Sequence, residues 1–591
     1  MDDNTRHRII VGVDYGTTYT GKSIDDIILI KSWPGLARYS ETVLKTPSRV
    51  AYPEDKGAKP RWGYQVEPGM LSYSWTKLLL DRGTPLSRYD AALESTAAMG
   101  VFRLPDDKDA VEVAGDFLAG VYEHIMATIA KQVTEEILQV TPLEFWFTVP
   151  AIWSDEAKHN TLVAAQRAGF GSRKGNIMDK ICLITEPEAA AIAALSRSMR
   201  DGLGSSVQPG DGVLVCDCGG GTVDITTYLV KGVHPTLEFE ELCTGTGGKC
   251  GSTAIDRKFY DLMRQELGKS FDDLPRRKVA PGSEFMNKFE LVKRDFGYPT
   301  EQMTYELPLN ITPQKVDPKY FNEDERLVII SKNDLRLLFD PIIQKILSLV
   351  RQQIMDANQQ AGRDAINRVI LVGGFGDSEY LRNVFREAFD PSGKITVTVP
   401  NNAQAAIVQG AALRGLQGLH ANIRRCRRHY CVRVSHLFRE GIDDESTAVF
   451  DLWDGKKRAS GYAQWLVVKE QKLSENHTYE KGVWMTLKHD SSWKATDTLF
   501  SCDTDVAPSR TDHPGSSCVD VRAVGELVVD FRKVSRSIFA TKHIAGQKVY
   551  RIDYCHRVVF NAEEGLLRFE AVVDGKVVGK TSIEFTHENF Y

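Results

Sequence analysis

No stretch of this chain stays apolar for the roughly 18–20 residues that a bilayer-spanning helix needs, so a membrane-embedded protein is not expected. An excess of charge of one sign is missing as well. Lys and Arg total 74 against 79 Asp and Glu, a formal −5. That balance gives no electrostatic reason to wrap nucleic acid or an anionic membrane. Cysteine is sparse, 10 in 591 residues, and no C-x-x-C pair occurs. A zinc site has no spacing support, and a disulfide-stapled miniprotein is excluded. The opening MDDNTRHR is charged and runs directly into IIVGV, without the apolar core of a secretion signal. The sequons at Asn310 and Asn476 therefore carry little weight. A monomer in the cytoplasm is the expectation, with the nucleus left open.

Hydrophobic residues make up 42% and charged residues 26%, as in soluble globular proteins. The length allows roughly three or four domain-sized units. Through the first 420 or so residues, short apolar strands alternate with helical periodicity, the pattern of an α/β fold. Strands are expected at Ile9–Val13, Phe145–Val149, Val213–Cys216, Val223–Val230 and Val369–Val372. Apolar residues recurring from Val113 to Ile137 predict one long helix, and Asp334 to Ala357 predicts another, interrupted by Pro341. ArgArgCysArgArg at 424–428 reads as a basic connector. From Tyr430 onward the chain reads as strands, with Asp454-Gly455 and Asp574-Gly575 as hairpin turns and Asp503–Ser517 as an exposed loop. The expected division is an α/β module over 8–418, a linker over 419–430 and a β-rich module over 431–591, with no long helical tail.

Two segments share one design. An apolar strand delivers Asp14-Tyr15-Gly16-Thr17-Thr18-Tyr19, and a second delivers Asp217-Cys218-Gly219-Gly220-Gly221-Thr222. Each strand would end in a carboxylate, and the glycines let the backbone turn tightly and aim several amides at one anion. Threonine hydroxyls reach terminal phosphate oxygens. Two aspartates suit Mg²⁺ held through water, because that ion dehydrates reluctantly. One such loop reads equally as a glycine hairpin. Two copies in one α/β alternation point to facing halves with nucleotide between them. A third glycine site, Gly373-Gly374-Phe375-Gly376, joins a strand to a helix start and favours close approach of phosphate or ribose. A fourth, Gly245 to Gly251, reads as only a flexible connection.

These motifs resemble the actin, hexokinase and heat-shock protein 70 ATPase superfamily, and in detail a divergent heat-shock protein 70-type chaperone. Val11 to Tyr19 is similar to the first phosphate motif, Cys216 to Asp224 to the second, and Ile370 to Phe375 to the adenosine motif. Val149-Pro150-Ala151 and Ile184 to Ile192, containing Glu186, resemble the family's connecting segments. The resemblance implies a duplicated ribonuclease H-like ATPase domain of two lobes over 8–418, followed by a β-sandwich-like substrate domain. It implies ATP or ADP with Mg²⁺ as cofactors. Asp14, Glu186, Asp217 and Thr222 would be catalytic, with Asp14 and Asp217 holding the metal. Gly16, Thr17, Thr18, Tyr19, Gly219, Gly220, Gly221, Thr222 and Gly251 would line the phosphates. Glu290, Lys293 and Arg294, with Gly373, Gly374 and Phe375, would contact adenine and ribose. Extended polypeptide clients and co-chaperones are the implied partners. Phe375 and Asp377 stand where the family usually has a serine and an arginine. A lysine is also implied some sixty residues after Asp14. Lys77 has that spacing in a setting, WTKLLL, that resembles a different segment, and it stays unassigned.

Other readings compete. Gly16 to Ser23 satisfies the P-loop pattern GxxxxGK[ST], yet Ile24 to Ile30 reads as a returning strand rather than the helix a P-loop requires. Glu186 in Thr-Glu-Pro reads alternatively as a helix-capping carboxylate. Trp453, Trp465, Trp484 and Trp493 read as sandwich core rather than a peptide platform. At the level of function the alternatives to an ATP-hydrolysing chaperone are a nucleotide-gated sensor with little turnover and a small-molecule kinase of the same superfamily.

Overall fold

The computed structural model describes residues within 8–582, apart from 16–18, 22–29, 36–43, 82–103, 174–178, 201–206, 512–520 and scattered stretches of one to four residues. It divides into two compact units, Met1–Ala421 and Asn422–Tyr591.

Two sheets organise the first unit. One runs in the order Lys45–Pro47, Tyr19–Gly21, Ile9–Tyr15, Leu143–Val149, Lys180–Thr185, and the last three of these strands are parallel. Every residue of Leu143–Val149 is buried, as expected of a strand covered on both faces by helices. In the other sheet Ile366–Val372 pairs in parallel with both Thr396–Thr398 and Gly212–Cys218. The chain then folds back antiparallel through Val223–Gly232 to Glu238–Gly248. The helices Glu186–Arg200 and Ala406–Gln417 pack so closely that a Cβ on Gly410 would lie 1.6 Å from the Ala189 carbonyl oxygen. Glycine is required there by contact rather than by backbone angle.

Two helix expectations need correction. The apolar period from Val113 to Ile137 spans two helices, Ala110–Val133 and Glu135–Val140, because Thr134 adopts φ 68° between them. Periodicity continues across the break; backbone hydrogen bonding does not. Conversely, Pro341 does not interrupt Lys332–Ala361, which stays helical for 30 residues. The amide that proline lacks would have bonded the carbonyl of Leu337. Leu337 is 71% exposed, so water can serve that carbonyl instead.

In the second unit the described residues form strands and short 3-10 turns, with no α-helix. The sheets run Ala448–Phe450, Lys457–Val467, His429–Leu437, Lys494–Cys502, Arg522–Asp530 and Thr478–Lys488, Gln547–Asn561, Leu566–Val573, Lys576–Ser582. Asp574 (φ 48°) and Gly575 (φ 74°) make a two-residue hairpin between Leu566–Val573 and Lys576–Ser582, as a primed turn requires. Asp454-Gly455 sits instead inside a longer loop, Asp451 to Lys456. The basic cluster at 424–428 is not a free connector. Ile423, Arg424 and Arg425 pair with Ser474, Leu473 and Lys472, and the Arg425 guanidinium donates to the Glu470 carbonyl at 2.9 Å. Trp493 is 1% exposed and packs against Tyr550 with centroids 4.8 Å apart, a core role. Two further strands expected from the sequence, Val519–Val521 before its last residue and Ser582–Phe585 beyond its first, lie outside the described residues.

Candidate functional site

Asp14 lies in Ile9–Tyr15 and is 4% exposed. The Thr148 hydroxyl, on the adjacent parallel strand, donates to Asp14 Oδ1 at 2.7 Å, and Lys45 Nζ lies 3.9 Å from Oδ2. Asp217 occupies the corresponding place in Gly212–Cys218 of the second sheet, opposite Val372. Just past Val372, Gly373 has φ 86°, and a Cβ there would fall 2.3 Å from Asp217 Oδ1. The hairpin loop 219–222 is pinned from outside: the amides of Gly251, Ser252 and Thr253 donate to the carbonyls of Gly221, Gly219 and Gly220. Gly251 therefore supports the loop instead of lining the site. A Cβ on it would lie 2.5 Å from both the Gly219 and Gly220 carbonyl oxygens.

Glu186 opens the helix Glu186–Arg200, and Lys77 stands in the 3-10 turn Thr76–Leu79. Lys77 Nζ donates to Glu186 Oε1 at 2.5 Å, with both side chains almost wholly buried. A pairing this short and dry is a charge-assisted hydrogen bond. Lys77, which the sequence left unassigned, lines the same cavity as Asp14 and Asp217. Its one signal was its spacing after Asp14. Lys45, with no motif around it, gave none.

Asp14, Glu186, Asp217 and Asp224 thus face Lys45 and Lys77 in a dry setting. Burial pushes Glu186 up to about 7; Lys77 opposes this, while Asp224 and Asp14 add to it. Asp217 is held well above the usual carboxylate range by burial, then by Glu186, Asp224 and Asp14, with Lys45 opposing. Asp217 Oδ1 is buried without a hydrogen-bond partner among the described residues. Crowded carboxylates and an unserved oxygen fit a divalent cation. Among the described residues no three His, Cys, Asp or Glu side chains are placed to ligate one ion directly. Magnesium keeps several waters, so two carboxylates meet its needs.

Asp14, Lys45, Lys77, Glu186 and Asp217 line one cavity of about 360 Å³, together with Gly219, Gly220 and Thr222. That volume is in the range of small-molecule sites. Glu290, Lys293 and Arg294 line it too, from the helix Glu284–Asp295, whose first turn is capped by the Ser283 hydroxyl. Lys293 Nζ is 2.7 Å from both Asp256 and Glu290, and Arg294 Nε donates to Glu290 at 3.0 Å. Burial alone would lower the Lys293 ammonium; Asp256 and Glu290 outweigh it and raise it. Phe339 and Phe375, with centroids 6.1 Å apart, give this end an apolar wall. Gly373 and Gly374 also line the cavity, and Asp377 accepts from Gln404 Nε2 at 3.0 Å.

The structure therefore brings together the expected residues from both glycine-rich strands, the Glu186 segment and the 290–294 helix. Gly16, Thr17 and Thr18 lie outside the described residues, as does the Tyr19 side chain. Gly221 holds the loop through its carbonyl. A P-loop at Gly16 to Ser23 is overturned: Thr20 and Gly21 pair antiparallel with Tyr15 and Asp14, so the chain returns as a strand where that motif is still loop.

An α/β unit with a glycine-lined cavity of both charge signs, fed by both of its main sheets, suits the binding of a phosphate-bearing small molecule. The family model described as Hsp70 protein matches residues 93–421, more than half of the chain. The chain belongs to the Hsp70 family, as a divergent member with an Hsp70- and actin-like ATPase domain. It is 24% identical to human Heat shock 70 kDa protein 12A over 515 residues, 73% of each chain. It is 24% identical to human Heat shock 70 kDa protein 12B over 551 residues, 79% of this chain and 76% of that one. Chaperone protein DnaK of Stenotrophomonas maltophilia is 25% identical over 418 residues, 69% of this chain and 59% of that protein.

Proposed function

We propose that this chain binds ATP or ADP with Mg²⁺ in the cavity of its first unit and hydrolyses ATP as a chaperone-like protein. In this reading the two sheets of the first unit are the duplicated halves of a two-lobed, ribonuclease H-like domain. The observation that carries it is the convergence of Asp14 and Asp217, from different sheets, on the one cavity that also holds the Lys77–Glu186 pair. The part of the cavity lined by Glu290, Lys293, Arg294 and the Phe339 and Phe375 rings supports nucleotide over bare phosphate.

Asp14 and Asp217 would hold the metal, which, when bound, neutralises charge on the outer phosphate oxygens. The Thr222 hydroxyl and the 219–222 loop would position the terminal phosphate. Lys77 would stabilise the negative charge that develops on the transferred phosphoryl. Glu186 would accept a proton from the attacking water, and a carboxylate raised to about 7 is suited to that work near neutral pH. Pairing with Lys77 orients it. Departure of the terminal phosphate would change which groups the two sheets share through the nucleotide, and so bias the strand-rich residues 431–591 between client-holding states. Extended polypeptides and co-chaperones, in the cytoplasm, are the partners this reading implies.

Asp217→Asn removes the charge but keeps the shape. Phosphate release from ATP should fall at least a hundredfold while circular dichroism stays unchanged. An unchanged rate would sink the assignment. ATP bound stoichiometrically by the parent chain with no phosphate released would favour a nucleotide-gated sensor. Phosphate transferred to a sugar or polyol would favour a kinase.

A further inference from the structure

Lys45 Nζ lies 3.9 Å from Asp14 Oδ2, and its placement follows from strand register. Asp14 pairs with Gly21, and Gly21 pairs with Lys45. The three residues form one row across adjacent antiparallel strands, so their side chains share a face. The middle residue is glycine, so this row puts no side chain between the carboxylate and the ammonium. Lys45 Nζ consequently reaches to 3.9 Å from Asp14 Oδ2, with the lysine side chain only 14% exposed and lining the cavity.

That distance is within ion-pair range but beyond a hydrogen bond. The ammonium is held near the oxygen without being locked to it. Asp14 Oδ1 is already committed to Thr148, so Oδ2 is the atom left for a metal or a metal-bound water. Lys45 occupies the same electrostatic position. Lys77, by contrast, is committed to Glu186 at 2.5 Å.

We propose that Lys45 is a resident counter-cation for the gap between Asp14 and Asp217: it contacts the phosphate chain of a nucleotide and makes binding largely independent of added divalent metal. This rests on the nucleotide reading above and adds to it a residue and a metal requirement. In the absence of metal, Lys45 screens Asp14 from the incoming phosphates and donates to them. With metal present, it competes for Asp14 Oδ2 and its own contribution shrinks.

Calorimetric titration of the full chain with ATP, in excess magnesium and in excess EDTA, tests this. The parent chain should bind in both, weakening less than about tenfold in EDTA. Lys45→Met should weaken about ten- to a hundredfold in EDTA, the worth of one charge-assisted hydrogen bond, and far less in magnesium. Lys45→Arg should restore metal-free binding, which a purely structural role would not require. Loss of all binding by the parent chain in EDTA overturns the proposal and spares the nucleotide reading. Equal weakening of Lys45→Met in both buffers also overturns it. Absence of ATP binding even in magnesium overturns both.

Discussion

Glu186 makes the stability of the nucleotide-free protein depend on pH in a direction opposite to that of most carboxylates. Its ordinary value of 4.5 rises to about 7 in the fold, chiefly because burial penalises the charged form. Between those values the folded chain holds a proton that the unfolded chain has lost. The folded state then binds more protons, so stability falls as pH rises. At about 1.4 kcal/mol for each pH unit, the loss between pH 4.5 and 7 is about 3 kcal/mol, complete just above 7. Glu186→Gln cannot ionise and removes this contribution. Denaturant titrations of the first unit's transition, at several pH values in EDTA, should show the parent losing about 3 kcal/mol more than Glu186→Gln over this window. Asp217 and Asp224 are also raised by burial and act in the same sense, and Glu186 adds to the rise of Asp217, so the difference between the two curves reports Glu186 together with its share of the Asp217 shift. Parallel curves, or a parent that gains stability against the variant with rising pH, would refute the reasoning.

Gly373→Ala should cost about 1–2 kcal/mol from the left-handed backbone alone. It should also cut nucleotide affinity more than tenfold, because the added methyl displaces Asp217 Oδ1; thermal melts and titration with ATP check both. Lys293→Met leaves the half-buried Asp256 and Glu290 without their shared cation, while Arg294 still serves Glu290, and should destabilise the first unit by about 1–3 kcal/mol, read from the shift in its denaturation midpoint.

Much of the site was readable because its chemistry is local. Asp14 and Asp217 each sit beside their own glycines, and Glu290, Lys293 and Arg294 fall on one face of a short helix. Lys77 and Lys45 were hidden for the opposite reason. Each acquires meaning only through a partner distant in the chain, Glu186 for one and Asp14 across two strand pairings for the other. Helix boundaries failed where side-chain pattern and backbone disagree: the apolar stripe runs through Thr134 although its φ of 68° ends the helix. Pro341 misled in the other direction, since its lost hydrogen bond falls on an exposed side. In the second unit, Asp574-Gly575 had the flanking strands that a two-residue turn needs. Asp454-Gly455 lies in a six-residue loop, 451–456, between the paired strands Ala448–Phe450 and Lys457–Val467, too long for a two-residue turn.

The most direct measurement is an experimental structure of the protein with a slowly hydrolysed ATP analogue and magnesium. The account predicts the triphosphate bridging Asp14 and Asp217, the base beside Glu290, Lys293 and Arg294, and the terminal phosphate within reach of Lys77. A saturating analogue bound elsewhere, or a cavity that stays closed to it, would contradict the account.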